Sequence, residues 1–365
     1  MKPISCTLVL LLICLSLVAC PNSQQTDSTA EVLPPTLIPE EPEPLFNGTY
    51  WFAGILALNE DFILAMTSSY RVFISYDEGR TWQPFNVDGS SRYLYVSFLD
   101  SKRGWATVNG KGLYRTQDGG RTWDFLTPTG KEGAGIVFIS DDLGWMSTGE
   151  RVLLSTSDGG LTWQKRTTFS SHFVPMSNFV FLNAKEGWVA GGYNAYYSPN
   201  ETGPGGARPA VMPQYAVYRT DDGGSTWREQ KIIPEWGSWE DQPASISFPD
   251  SQAGWIVSTK GIVVRTLDGG KSWQQQVVGS SGRFPGVQFV DRDHGWLEFF
   301  QGSDQETDLF RTDDGGESWH SVPYPAGYAV RHFCFSSAKR GLAVGKGFVL
   351  RSEDGGRTWV DLSAK

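Results

Sequence analysis

A chain of 365 residues with 15 tryptophans, 21 phenylalanines and 13 tyrosines carries ample large side chains for a packed core, which excludes a disordered protein. Its formal net charge of −9 argues against a nucleic-acid binder, which needs a basic stripe to displace counterions from phosphates. The histidines His172, His294, His320 and His332 are scattered, without HxxxH or CxxC spacing, so neither a zinc site nor any other metal or cofactor is expected.

Residues 1–19 read as a targeting segment. Lys2 supplies a positive charge, Leu8 to Leu17 form an apolar run too short to span a bilayer, and Leu17-Val18-Ala19-Cys20 follows. An ordinary signal peptide cut after Ala19 leaves a free cysteine. The four residues look more like a bacterial lipobox, in which the Cys20 thiol receives a diacylglyceryl group before cleavage. The resemblance implies two or three acyl chains on Cys20, and more than one chain is what stable anchoring requires. The expected location is therefore exported and membrane-anchored, on the periplasmic or extracellular side. Of the other cysteines, Cys6 and Cys14 leave with the signal, and Cys334 remains alone in an apolar run. It is expected to be a small buried core residue.

Residues 20–45 form a tether beginning at the lipid-bearing cysteine. Pro34-Pro35, Pro39, Pro42 and Pro44 preclude a helix or central strand, and five acids without a base keep the stretch solvated.

Residues 46–365 are dominated by a repeat. The eight-residue motif Ser/Thr-x-Asp-x-Gly-x-Ser/Thr-Trp occurs at Ser75, Thr116, Thr156, Thr220, Thr266, Thr312 and Ser352. Successive motif tryptophans fall 40 to 46 residues apart, except for 64 between Trp163 and Trp227. Upstream, a phenylalanine is followed six residues later by Gly-Trp, as in Phe98…Gly104-Trp105. The last copy, Phe335…Gly341-Leu342, replaces Trp with Leu. Short apolar or alternating runs lie between the motifs. Each repeat thus reads as four short strands, and seven repeats predict an all-β, seven-bladed β-propeller with four-stranded antiparallel blades. The stretch from Tyr50 to Phe73 makes a degenerate first blade.

The motif has a mechanical reading. Its carboxylate can accept hydrogen bonds from nearby backbone N–H groups, glycine permits positive φ, and the tryptophan covers the hairpin. Asp77, Asp118, Asp158, Asp222, Asp268, Asp314 and Asp354 recur in every blade, so they are read as structural rather than catalytic or metal-binding. Arg115, Arg219, Arg265, Arg311 and Arg351, each one residue before its motif, are read the same way.

Together these residues resemble the Asp-box propellers: sialidases, xyloglucan-cleaving glycosidases, sortilin-type receptors and the photosystem II assembly and stability factor family. The last is nearest in architecture, with one propeller and one box per blade, and the resemblance covers residues 46–365. It implies a non-enzymatic binder of membrane-protein precursors. A glycan-binding propeller or an Asp-box glycosidase is the alternative. Sialidases pair their boxes with an Arg-Ile-Pro motif, whereas here the Ile-Pro is Leu37-Ile38-Pro39, in the tether and without arginine. No catalytic residue is assigned.

Function is expected where the repeat breaks. One break lies between Trp188 and Trp227 and carries Tyr193, Tyr196, Tyr197 and Arg208. The connection to the next blade carries Trp236 and Trp239, which belong to neither motif. A third runs from Gln301 to Asp308. Strand parity puts all three on the face opposite the boxes. Residues 192–214 and 233–243 are expected to form the partner-binding face, for a protein or possible glycan at the outer side of a membrane.

Overall fold

A computed structural model describes residues 52–362, except 59–60, 68, 70, 90–93, 130–134, 149–150, 170–172, 176–178, 194–214, 231, 233–242, 260, 279–283, 301–306 and 326. Seven antiparallel sheets follow one another along the chain, and each is a meander of consecutive strands. Blade two shows the pattern: Leu94–Phe98, Gly104–Val108, Gly112–Thr116 and Asp124–Thr127. Blade one, Phe52–Ala57 to Gln83–Pro84, is complete despite lacking the Gly-Trp motif. The expected seven-bladed, all-β propeller is the architecture.

The buried apolar residues do not gather at one centre. They form clusters between neighbouring blades, as where Trp105 and Leu113 of blade two meet Phe138 of blade three. Second strands such as Gly104–Val108 are buried throughout, whereas fourth strands such as Gln83–Pro84 are short and exposed. Short polar outer strands discourage edge-to-edge pairing with another molecule.

The Phe…Gly-Trp motif builds five of the seven interfaces. The Phe98 ring lies across Gly104, where an added Cβ would come within 2.4 Å of it, so only glycine fits. The following tryptophan stacks on the phenylalanine of the next blade. Trp105 on Phe138, Trp145 on Phe181, Trp188 on Phe248, Trp255 on Phe289 and Trp296 on Phe335 have centroid distances of 3.4 to 4.2 Å. Four of these indoles also donate Nε1–H to a carbonyl in the next box: Trp105 to Gly159, Trp145 to Gly223, Trp255 to Gly315 and Trp296 to Gly355, at 2.8 to 3.2 Å.

The residue before the phenylalanine adds a backbone link. Ser97 accepts the N–H of Phe138, Ser247 that of Phe289, and Gln288 that of Phe335. Cys334 occupies this position in blade seven, and its Sγ accepts the N–H of Ala57 in blade one at 3.3 Å. It is a buried free cysteine, and burial pushes its thiol pKa up to about 11.

Among the described residues no strand is exchanged to close the ring, since blades one and seven are each contiguous in sequence. Closure rests on side chains: Ala57, Ile63 and Phe73 of blade one pack with Cys334, Leu342 and Val349 of blade seven.

Blade four departs from the pattern. Its inner strand is split into Phe173–Pro175 and Val180–Phe181, both paired with the seven-residue strand Gly187–Tyr193.

Candidate functional site

Each box is a closed hydrogen-bonded turn. In blade two, Asp118 Oδ1 accepts the Thr116 hydroxyl at 2.9 Å and the Thr122 N–H at 2.9 Å, while Oδ2 accepts the Thr122 hydroxyl at 2.6 Å. The Thr116 oxygen in turn accepts the Gly120 N–H at 2.8 Å. The same bonds recur around Asp77, Asp158, Asp222, Asp268, Asp314 and Asp354. Hydrogen bonds to the charged form favour it. The Thr162 hydroxyl and N–H hold Asp158 down at about 2, and those of Ser272 do the same for Asp268. A carboxylate so held is a poor general acid at neutral pH.

The arginines before the boxes reach the neighbouring blade as well as acids of their own turn, as Arg311 does with Asp313 and Arg351 with Glu353. Arg219 donates to the Gly269 carbonyl at 2.8 Å, Arg265 to Gly315 at 3.1 Å and Arg311 to Gly355 at 3.0 Å. Arg115, Arg219 and Arg311 also sit over the rings of Trp105, Trp188 and Trp296, at 5.2 to 5.7 Å. The one buried carboxylate among the described residues, Glu298, accepts the Phe333 N–H at 3.2 Å and lies 3.4 Å from His332 Nδ1. It bridges blades six and seven. Among the described residues no group of three or more His, Cys, Asp or Glu could hold a metal ion.

Of the residues expected to bind a partner, Tyr193 ends the second strand of blade four. Its backbone pairs with Phe173, at the far end of the sheet from Gly187 and Thr220 beside the box. The long insertion between Tyr193 and Tyr215 therefore departs from the face opposite the boxes. Tyr196, Tyr197, Arg208, Trp236 and Trp239 lie outside the described residues, as does Cys20.

A second surface was not anticipated from the sequence. On the box face of blade four, a cavity of about 610 Å³ is lined by Lys185, Arg219, Arg228, Lys271, Glu186 and Asp221. Arg219 pairs with Glu186 at 2.9 Å and with Asp221 at 3.2 Å, and Asp221 also pairs with Arg228. The lining has four cations against two carboxylates, which favours an acidic ligand group. Apart from Arg219, its residues occupy variable positions of the repeat, and that variation is the signal that could have located it.

Comparison with known proteins places these features in a family context. A family model described as photosynthesis system II assembly factor YCF48 matches residues 210–287. A solved structure of YCF48 bound to D1 peptide is similar at 17% identity and a TM-score of 0.61, covering 84% of this chain and 94% of that one. YCF48 from Cyanidioschyzon merolae is similar at 16% identity and 0.59, covering 83% and 96%. The GH74 xyloglucanase from Xanthomonas campestris gives 13% identity and 0.60, covering 85% of this chain but 53% of the enzyme. A search of curated proteins finds no match. At such identities the structural likeness establishes the fold. With the matching family model, the chain is a seven-bladed propeller resembling the photosystem II assembly factors.

Proposed function

We propose that this protein is a lipid-anchored, non-enzymatic propeller that binds a membrane protein at the outer side of a membrane. The observation that carries the reading is the span of the family match. Residues 210–287 run from the end of the long insertion of blade four, through the connection and the whole of blade five, to the first strand of blade six. A YCF48 propeller similar over most of both chains has been solved with D1 peptide, which supports a polypeptide as the class of ligand.

The proposed binding face is the one opposite the boxes, with Tyr193, Tyr196, Tyr197, Arg208, Trp236 and Trp239 as contact residues. Aromatic and arginine side chains are the usual anchors of protein interfaces. Attachment through Cys20 and a proline-rich tether keeps the propeller close to membrane-embedded partners, where local concentration lets a modest affinity suffice. Crosslinking in cells tests the reading: one or two membrane proteins are expected, and recovery of none would remove it.

The likeness to a xyloglucanase supports a glycan-cleaving reading less well. The box carboxylates are engaged in their turns, and Glu298 is engaged between blades. No turnover of a fluorogenic glycoside is expected.

A further inference from the structure

The interface between blade seven and blade one is built unlike the others. Register aligns Ala57 with Phe98 and Phe138, and Leu342 with Trp105 and Trp296. The stacked tryptophan–phenylalanine pair found at five interfaces is thus replaced by leucine and alanine. Ile63, where the other blades have glycine, refills the phenyl position. A Cβ placed on Gly79 would meet Ile63 Cδ1 at 3.5 Å, just as one on Gly160 would meet Phe138 Cζ at 3.4 Å. The indole position is not refilled. A cavity of about 220 Å³ remains there, lined by Ala57, Leu342, Glu78, Arg351, Arg340 and Glu353 among others.

The interface between blades one and two also lacks the tryptophan, and it shows what repair looks like. Leu64 stands in the indole position. Phe62, two residues earlier, packs on Phe98 at 4.9 Å, and Tyr76, second in its box, donates its hydroxyl to the Gly119 carbonyl at 2.8 Å. The same two positions at the seam of blades seven and one carry Arg340 and Glu353. These pair with each other at 2.9 Å, with side chains 40% and 53% exposed, while Leu342 beneath is 5% exposed. An ion pair forms the mouth of the cavity where aromatic rings fill its counterpart.

We propose that this seam is a docking slot for a tryptophan side chain presented by a partner polypeptide. Three features match what surrounds the built-in indoles. The Glu78 carbonyl is equivalent to the Gly159, Gly223, Gly315 and Gly355 carbonyls that accept an indole N–H. Arg351 is equivalent to the arginines that lie over Trp105, Trp188 and Trp296. Leu342 and Ala57 leave an apolar floor. In size, a cavity of roughly 150 Å³ suffices to hold a benzene ring in an engineered protein core. The polar mouth suits the amide groups flanking a side chain better than the edge of an apolar small molecule. The slot lies on the box face, so it is separate from the opposite face proposed to bind the main partner.

Saturation-transfer NMR on the full chain with N-acetyl-tryptophanamide tests the proposal. Transfer to the indole protons is expected for the unmodified protein and not for Leu342→Trp, which fills the slot from within and unfolds at a higher temperature. N-acetyl-phenylalaninamide, lacking the ring donor, should bind roughly fivefold more weakly. If Leu342→Trp does not fold, Leu342→Phe serves as the blocked form. Equal transfer in unmodified and blocked proteins, or none at millimolar probe, overturns the proposal. Binding of free indole without binding of the amide would instead identify a small-molecule pocket.

Discussion

Arg351 of blade seven donates to the Glu78 carboxylate of blade one at 2.6 Å, and Glu78 is held at a φ of +63°. The other six boxes have glycine at this position, for example Gly119 at +78° and Gly315 at +69°. Closure of the ring has therefore taken a strained side chain in exchange for an ion pair across the seam. A non-glycine residue in this region costs on the order of 1 kcal/mol, and a partly exposed ion pair is worth about 0–1 kcal/mol. Glu78→Gly is expected to unfold in urea within about 1 kcal/mol of the unmodified protein, with Glu78→Ala lower than Glu78→Gly by a similar amount. With Arg351→Gln in place, Glu78→Gly should become stabilising. A stability order with alanine above glycine would contradict this balance.

The thiol of Cys334 acts as an acceptor, in the position that Ser97 and Ser247 hold in blades two and five. Cys334→Ser is expected to be tolerated, at a cost below about 1 kcal/mol, because a hydroxyl can accept the Ala57 N–H. Cys334→Ala leaves that buried N–H without its acceptor and should cost about 1–3 kcal/mol in chemical denaturation. The native thiol should resist alkylation at pH 8, since burial holds it largely protonated.

Gly104 is required by close approach, not by its backbone angles. Gly104→Ala drives a methyl group into the Phe98 ring and should destabilise by about 1–3 kcal/mol. Trp105→Leu places at this interface the residue found naturally at 342, leaving the Phe138 ring without its stacking partner. It should cost about 3–5 kcal/mol, through lost stacking, a cavity and the unpaired Gly159 carbonyl. Thermal or urea unfolding measures both.

The propeller was legible because its motifs repeat with a period that only a ring of similar blades explains. Cross-blade pairing was less so. A repeat reveals which residues are equivalent, but not which neighbour each one faces, and Arg219 reaches the box 50 residues ahead as well as Asp221 of its own. The degeneracy of blade one was visible as missing motifs, yet Ile63 filling a phenyl position follows only from three-dimensional register. The split inner strand of blade four and the cavity near Lys185 and Lys271 arise from non-repeating positions, which a period search discards. Parity was enough to put Tyr193, after which the insertion begins, at the end of the sheet away from the box, since each antiparallel strand returns the chain to a known side.

The box carboxylates should make the fold sensitive to acid. Asp158 and Asp268 fall from an ordinary value of 3.8 to about 2 in the folded protein, and the remaining box aspartates are lowered as well. A group whose folded pKa is depressed stabilises the fold above its unfolded pKa, and that contribution is lost as pH falls through the folded value. Urea midpoints should therefore be nearly constant between pH 5 and pH 7, in a range of roughly two units above the ordinary aspartate value, and should fall between about pH 4 and pH 2. Asp158→Asn should shallow the acid limb. An acid limb of unchanged slope would count against this origin.

The most direct test of the binding role is crosslinking in cells with the lipid-modified chain, read by mass spectrometry, beside a variant in which residues 194–214 and 233–242 are both replaced by short linkers. The account predicts one or two membrane proteins recovered with the intact chain and lost with the variant, while the variant retains the cooperative unfolding of a closed propeller. The same proteins recovered equally by a folded variant would contradict the assignment of the binding face, and recovery of no membrane protein by the intact chain would contradict the binding role itself.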